Sequence, residues 1–341
     1  MKAFKYLLFL LLITIIGISI YIAIQPNTFE VKRAYTIKAP KSVIYNHIID
    51  FKNWKNWSPW IEKDPTIQTT FGEKTKGIGG SQSWTGKDGY GNIKTTETTP
   101  YSSIKQLLQF NDYQPSEIIW NLESITPKET KITWHMINNK TPFILKGFAA
   151  ISGGFDNMIG PSFERGLIKL DSVASADINK YSIKTHGITL HGGGYYLYIT
   201  TSCKITDLKN KKDNMMLKVK NYAKNNRIKM AGAPFIFYHK WDEENNATVF
   251  SCCIPTTEKT ITPLNSDILT GLISPFNAVK ATLKGDYKNL KNTWKTLLEF
   301  ASKNNLQLTE NGPMLEVYET TPADGDNPSN WITQIYIAVT D

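Results

Sequence analysis

Apolar residues follow three different rhythms along this chain. From Tyr6 to Ile24 they are continuous, with no charge in the run. As a helix, that stretch is long enough for the roughly 30 Å hydrocarbon core of a bilayer. Elsewhere they recur at helical spacing. Val43, Ile44, His47 and Ile48 predict a helix over 43–49, and Met158, Ile159, Phe163, Leu167 and Leu170 predict one over 155–173. Met215, Val219, Tyr222 and Ala223 predict a third, and Leu290, Trp294, Leu297, Leu298 and Ala301 a fourth. The rest alternates or runs short between Gly, Pro, Asn and Asp, as strands do. In the first half, strands are expected at 31–37, 66–71, 80–84, 93–98, 104–110, 117–122 and 131–136. Their hairpin-like spacing predicts an antiparallel sheet.

The second half reads as one unit used twice. Strand 195–205, a helix, the strand around Phe235 to Tyr238 and strand 248–254 are answered by strand 277–283, a helix, the strand Met314 to Tyr318 and strand 331–339. Two such strand-helix-strand-strand units can pair into one curved sheet with helices behind it. Within the last unit Met314, Glu316 and Tyr318 share a face. A carboxylate between a thioether and a phenol either points to solvent or sits in a pocket facing a positive partner.

These residues give the fold class as α+β in three segments: an apolar anchor over 1–26, a first domain over 27–176 and a second over 180–341. The second resembles the GyrI-like small-molecule-binding domain, the effector module of multidrug-sensing regulators. The resemblance rests on Ala233-Pro234-Phe235-Ile236-Phe237-Tyr238, Lys284-Gly285-Asp286-Tyr287, Gly312-Pro313-Met314-Leu315-Glu316-Val317-Tyr318 and Trp331-Ile332-Thr333-Gln334-Ile335. It implies that Glu316 is the acidic residue of an aromatic pocket for lipophilic, often cationic, ligands. Tyr318, Trp331, Tyr287, Phe237, Tyr238 and Tyr196 are its candidate walls. Flat apolar surface, aromatic faces and one carboxylate are what such a cation requires. Part of the family resembles hydrolases, for which Glu316 would be general base and Trp331 its companion. Phe237, at the matching place in the duplicated unit, is not acidic, which favours binding over hydrolysis.

The first domain resembles the SRPBCC or START-like helix-grip fold, also called polyketide cyclase/dehydrase-like. Its matching pieces are Ile37-x-Ala39-Pro40, the Asp50 to Trp60 segment, Gly77-x-Gly79-Gly80 before Trp84, Thr130-Lys131-Ile132-Thr133-Trp134 and the run Ile159 to Leu167. That fold implies a curved sheet around a long last helix with a hydrophobic cavity between, and no particular reaction. Trp54, Trp57 and Trp60 either plug the core or line the cavity's mouth. Glu62, Asp64, Glu97 and Glu123 fit surface positions better than the cavity.

Charge changes little in this picture. The chain of 341 residues carries a formal charge of +9. It has no basic helix, no helix-turn-helix pattern and no basic-aromatic motif, so nucleic acid is not an expected partner. Attraction to an anionic membrane face is the more economical use of the excess. Lys2 and Lys5 before the apolar run, and Lys32 and Arg33 after it, nearly balance. An uncleaved anchor is favoured over a signal peptide, with the soluble domains outside the cytoplasm. The five histidines have no ligand spacing, and neither metal nor cofactor is expected. His191-Gly192-Gly193-Gly194 lacks the Lys-Ser/Thr of a phosphate loop and reads as a turn. Cys203, Cys252 and Cys253 form no disulfide framework. A lipophilic small molecule and a membrane are the expected partners, and docking onto another protein stays open.

Overall fold

The computed structural model describes residues 2–340. It divides into two compact units, 1–177 and 178–341. The first opens with α1, Lys2–Ala23, a helix whose side chains are exposed from Ala3 to Tyr21. Its span 3–23 is long and apolar enough to cross a membrane.

Seven antiparallel strands follow: β1 (Phe29–Ile37), β2 (Gln68–Phe71), β3 (Ser81–Gly86), β4 (Gly89–Thr99), β5 (Ser103–Phe110), β6 (Ser116–Thr126) and β7 (Glu129–Asn138). Their order in the sheet is β1-β7-β6-β5-β4-β3-β2, so β1 crosses over to pair with β7 and the rest is a meander. Between β1 and β2 lie α2 (Lys41–Ile49) and the short α3 (Pro59–Lys63). Ser58 caps α3 and Pro59 stands in its first turn, the positions where a hydroxyl acceptor and a missing N–H suit a helix start. After β7 come α4 (Phe143–Ile151), which the sequence pattern did not predict, and the long α5 (Phe155–Ile178). Helix α5 runs about a turn further than its apolar stripe suggests.

Trp54 and Trp57 resolve as plugs, not as a rim. Both are buried, and Trp57 lies edge-on to Trp120 and Trp134. Trp134 is sandwiched between Trp120, 4.3 Å away, and Phe163 of α5, 4.0 Å away and parallel within 5°. Between sheet and α5, where the sequence suggested a hydrophobic cavity, stands this indole stack. Gly166 lets α5 approach it: a Cβ there would lie 2.8 Å from the Trp134 ring. Trp60 alone of the three is partly exposed, edge-on to Trp134. Glu62 is held by Arg165 at 2.6 Å, which keeps its carboxyl down at about 2, and Glu97 pairs with Lys105.

The second unit is an eight-stranded antiparallel sheet backed by two helices. It comprises β8 (Ser182–His191), β9 (Gly194–Lys204), α6 (Leu208–Asn225), β10 (Phe235–Asp242), β11 (Ala247–Pro255), β12 (Leu269–Ile273), β13 (Phe276–Lys284), α7 (Leu290–Lys303), β14 (Met314–Tyr318) and β15 (Ile332–Ala338). The order is β12-β9-β11-β10-β14-β15-β13-β8. The duplicated unit is there, joined at β10 and β14, but each copy has one more leading strand than the sequence showed. Those strands are exchanged: β8 pairs with β13 of the second copy, and β12 with β9 of the first. Two residues join β8 to β9, which stand near opposite ends of the strand order, and two join β12 to β13. The sheet must therefore curl until its ends meet at that corner. Gly193 is fixed there, with φ +67° and Ile273 O only 2.1 Å from where a Cβ would stand. The His191-to-Gly194 run is thus a turn at a sheet corner.

Alternation along the central strands gives this sheet two faces. Ile236, Tyr238, Cys252, Ile335 and Ile337 pack under α6 and α7 with Met215, Leu297 and Ala301. Tyr196, Phe235, Cys253 and Leu315 lie on the other face with Phe237, Val317 and Tyr336. The cysteines are free thiols, and burial pushes Cys252 up to about 12 and Cys253 well above its ordinary value.

Candidate functional site

Strand β14 sits at the seam between the two copies, and Glu316 is at its centre. Its neighbours across the strands are Ile236 of β10 and Ile335 of β15. The pairing puts Glu316 on the helix-covered face, where it is 2% exposed. An ionised group there must be paired and hydrogen-bonded, because transfer from water into an apolar interior is costly. The surface alternative for Glu316 is thereby removed.

Its partners come from both helices and from its own strand. Lys212 Nζ of α6 lies 3.2 Å from Oε1. Trp294 Nε1 of α7 donates to Oε2 at 3.0 Å. The Tyr318 hydroxyl, two residues on and hence on the same face, donates to Oε1. Lys212 also donates to the Tyr318 hydroxyl at 2.5 Å, with its ammonium 5.1 Å from the centre of that ring. Lys212 and Trp294 are each the fifth residue of their helix. The duplication thus aims the same helical position of both copies at one carboxylate, and the two residue types differ.

Aromatic rings wall this group. Tyr287 lies edge-on to Tyr318 at 5.2 Å and against Trp331 at 4.9 Å. Tyr238 meets Trp294 edge-on at 5.7 Å. Burial, followed by the Glu316 charge, holds the phenols of Tyr318, Tyr238 and Tyr287 above their ordinary value. They stay protonated as donors. Trp331 is buried, but its Nε1 donates to Gly325 O at 2.7 Å.

Of the predicted residues, Glu316, Tyr318, Tyr287, Trp331 and Tyr238 come together. Phe237 and Tyr196 do not. Phe237 pairs with Leu315 and faces the opposite side, against His239 at 4.4 Å. Tyr196 is on that same side, packed on Phe235 at 5.5 Å and pushed up to about 12 by burial. Phe237 lies on the face of the sheet opposite Glu316, so it is not its structural counterpart. Matching the two copies through Pro234 and Pro313 is out by one residue from the match that the equivalent bridges of Met230 and Leu308 give, and one residue turns a side chain to the other face. Sequence reasoning missed Lys212 and took Trp294 only as part of an apolar stripe. The shared helical position of the two was the available signal.

Residues 195–340 match a family model, the GyrI-like small molecule binding domain. No curated protein matches the sequence. Among solved structures, the C-terminal domain of EcmrR is 17% identical with a TM-score of 0.40, covering 47% of this chain and 98% of that one. EcmrR in a cryo-EM complex with DNA is 16% identical with a TM-score of 0.41, covering 58% and 72%. Protein CV1439 from Chromobacterium violaceum is 14% identical with a TM-score of 0.32, covering 44% and 98%. By the family match, residues 195–340 of this chain carry a GyrI-like small-molecule-binding domain.

Proposed function

We propose that the second unit, the domain over 180–341, captures lipophilic cations. Lys212 occupies the place that the ligand's charge would take. One observation carries this reading: the Lys212 ammonium is held by the Glu316 carboxylate and the Tyr318 ring, the two groups a lipophilic cation would need. Lysine suits such a placeholder. Its charge rides on four rotatable bonds, and its side chain keeps a route to solvent, being 17% exposed. Swinging it out would leave a carboxylate, an indole donor and aromatic walls facing the vacated space. Tyr287 and Trp331 stand next to Tyr318 and would extend the wall for a flat ligand.

We further read α1 as a single-pass anchor, and 27–176 as a START-like helix-grip domain. Supporting the latter are the meander sheet closed by β1 and the long α5 laid against it. Its packed indole stack argues for a scaffold more than for a second ligand cavity. Hydrolysis is the less favoured reading of the C-terminal site. Both Glu316 oxygens are already engaged by donors, so an attacking water would need one of those donors to leave.

The test is a calorimetric titration of the full chain in detergent with tetraphenylphosphonium and with neutral triphenylphosphine oxide. Wild type should prefer the cation. Glu316→Gln should lose that preference by about tenfold, equivalent to about 1.4 kcal/mol, with the compound recovered unaltered by mass spectrometry. Equal affinities of wild type and Glu316→Gln for the cation would remove Glu316 from the site. A cleaved ester analogue would revive the hydrolase reading.

A further inference from the structure

We infer that α4 is a second membrane contact, an interfacial helix whose outer face sits in the headgroup–acyl boundary beside α1. This rests on the reading of α1 as a membrane span. Phe143, Ile144, Phe148 and Ile151 are 49%, 59%, 57% and 87% exposed. Ile144, Phe148 and Ile151 are spaced by four and three residues, so they share one face, with Phe143 at its margin. Lys146 and Ala149 lie on the opposite, buried side. A helix that turns its apolar side outward and buries its lysine is inverted for water. From Thr141 to Phe155 the chain carries no charge except that buried Lys146.

What covers this face follows from where α4 is fastened. Lys146 Nζ donates to Gln25 O at 2.7 Å and to Ala23 O at 3.4 Å, so it caps the carbonyl end of α1. A Cβ at Gly147 would lie 3.4 Å from Ile22 Cδ1, which places the α4 backbone directly against the last turn of α1. The 22 residues of α1 extend about 33 Å, against a hydrocarbon core of roughly 30 Å. The last turn therefore lies at the membrane boundary, and α4 is held at that depth. From Tyr6 to Phe29 and from Thr141 to Phe155 the one charged residue is the buried Lys146, so the exposed side chains of both stretches are uncharged. Lipid that surrounds the first surface meets the second. An amphipathic helix lying in the interface with Phe and Ile inserted matches this placement. The membrane contact would then fix the tilt of the first unit, which a lone span leaves free.

The experiment uses the full chain in phosphatidylcholine nanodiscs, one copy per disc, in a Cys203→Ser background. An environment-sensitive fluorophore is attached at Ile151→Cys, at Leu12→Cys within the span, or at Lys128→Cys on an exposed turn. Quenching is read from lipid nitroxides near the headgroup and from aqueous iodide. The Ile151 site should be blue-shifted and quenched by the lipid nitroxide, like Leu12, whereas Lys128 answers to iodide. If Leu12 is lipid-quenched but Ile151 answers to iodide, the interfacial helix is wrong and the span stands. Iodide quenching at both overturns the two together. A blue-shifted Ile151 probe that neither quencher reaches would mean protein covers it, which also overturns the proposal. Ile151 is almost fully exposed, so its replacement does not threaten folding.

Discussion

Lys212→Met should bind a lipophilic cation at least about tenfold more tightly than wild type, while the empty protein loses about 3–5 kcal/mol of stability. Both effects have one cause. The ammonium stands 3.2 Å from a carboxylate that is 2% exposed, and removing it leaves that charge with only the Trp294 and Tyr318 donors. Breaking a buried pair from one side costs about that much, because the remaining ion is uncompensated. In wild type a ligand must displace Lys212, so its apparent affinity is reduced by the small fraction of protein in which the lysine is already out. The variant has no such competitor. Chemical unfolding with and without tetraphenylphosphonium checks the prediction: the cation should restore far more stability to Lys212→Met than to wild type. A variant that is destabilised and also binds the cation more weakly would make Lys212 part of the frame, not a placeholder.

Trp134→Ala is the second large effect, at about 3–5 kcal/mol of unfolding free energy. The indole has Trp120 on one face and Phe163 on the other, with Trp57 and Trp60 at its edges. The stack is fixed by a polar handle next door: Trp120 Nε1 donates to the buried Gln106 Oε1 at 3.0 Å. Removing the central ring leaves a void that neighbours locked on two sides cannot fill. Urea unfolding followed by tryptophan fluorescence, together with loss of the near-ultraviolet circular dichroism from the stacked indoles, measures it. A cost below about 1 kcal/mol, the range of well-tolerated core changes, would mean the space between sheet and α5 is loosely filled. A ligand cavity in the first unit would then return as the better reading.

Much of this architecture was legible in the order of residues. The Tyr6–Ile24 run gives α1 directly, and Leu290, Leu297 and Ala301 mark the buried side of α7. Glu316 stood out because a lone carboxylate interrupts an apolar strand. The exchanged strands were harder to see. β8 has Lys184, Thr185, His186 and Gly187 in succession, which breaks any apolar alternation, and its partner β13 is about a hundred residues away. α4 hid because it is only 9 residues long and its one charged residue, Lys146, is the one it buries. Lys212 hid for the opposite reason. It is one of many lysines on α6, among them Lys209, Lys211, Lys218 and Lys220, and α6 is thus a basic helix where the sequence pattern suggested none. Only tertiary packing singles out the one that turns inward. The misplacement of Phe237 and Tyr196 was a matter of register, which strand composition does not specify.

The central claim is that ligand charge and Lys212 compete for one carboxylate. Photolabelling of the full chain with a benzophenone-tagged phosphonium, followed by peptide mapping, tests where the cation goes. The account predicts adducts on the peptides that hold Tyr287, Trp294 and Tyr318, increased in Lys212→Met and suppressed in Glu316→Gln. Adducts on Tyr196 or Phe237, on the opposite face of the sheet, or on residues before 178, unchanged by either substitution, would contradict it.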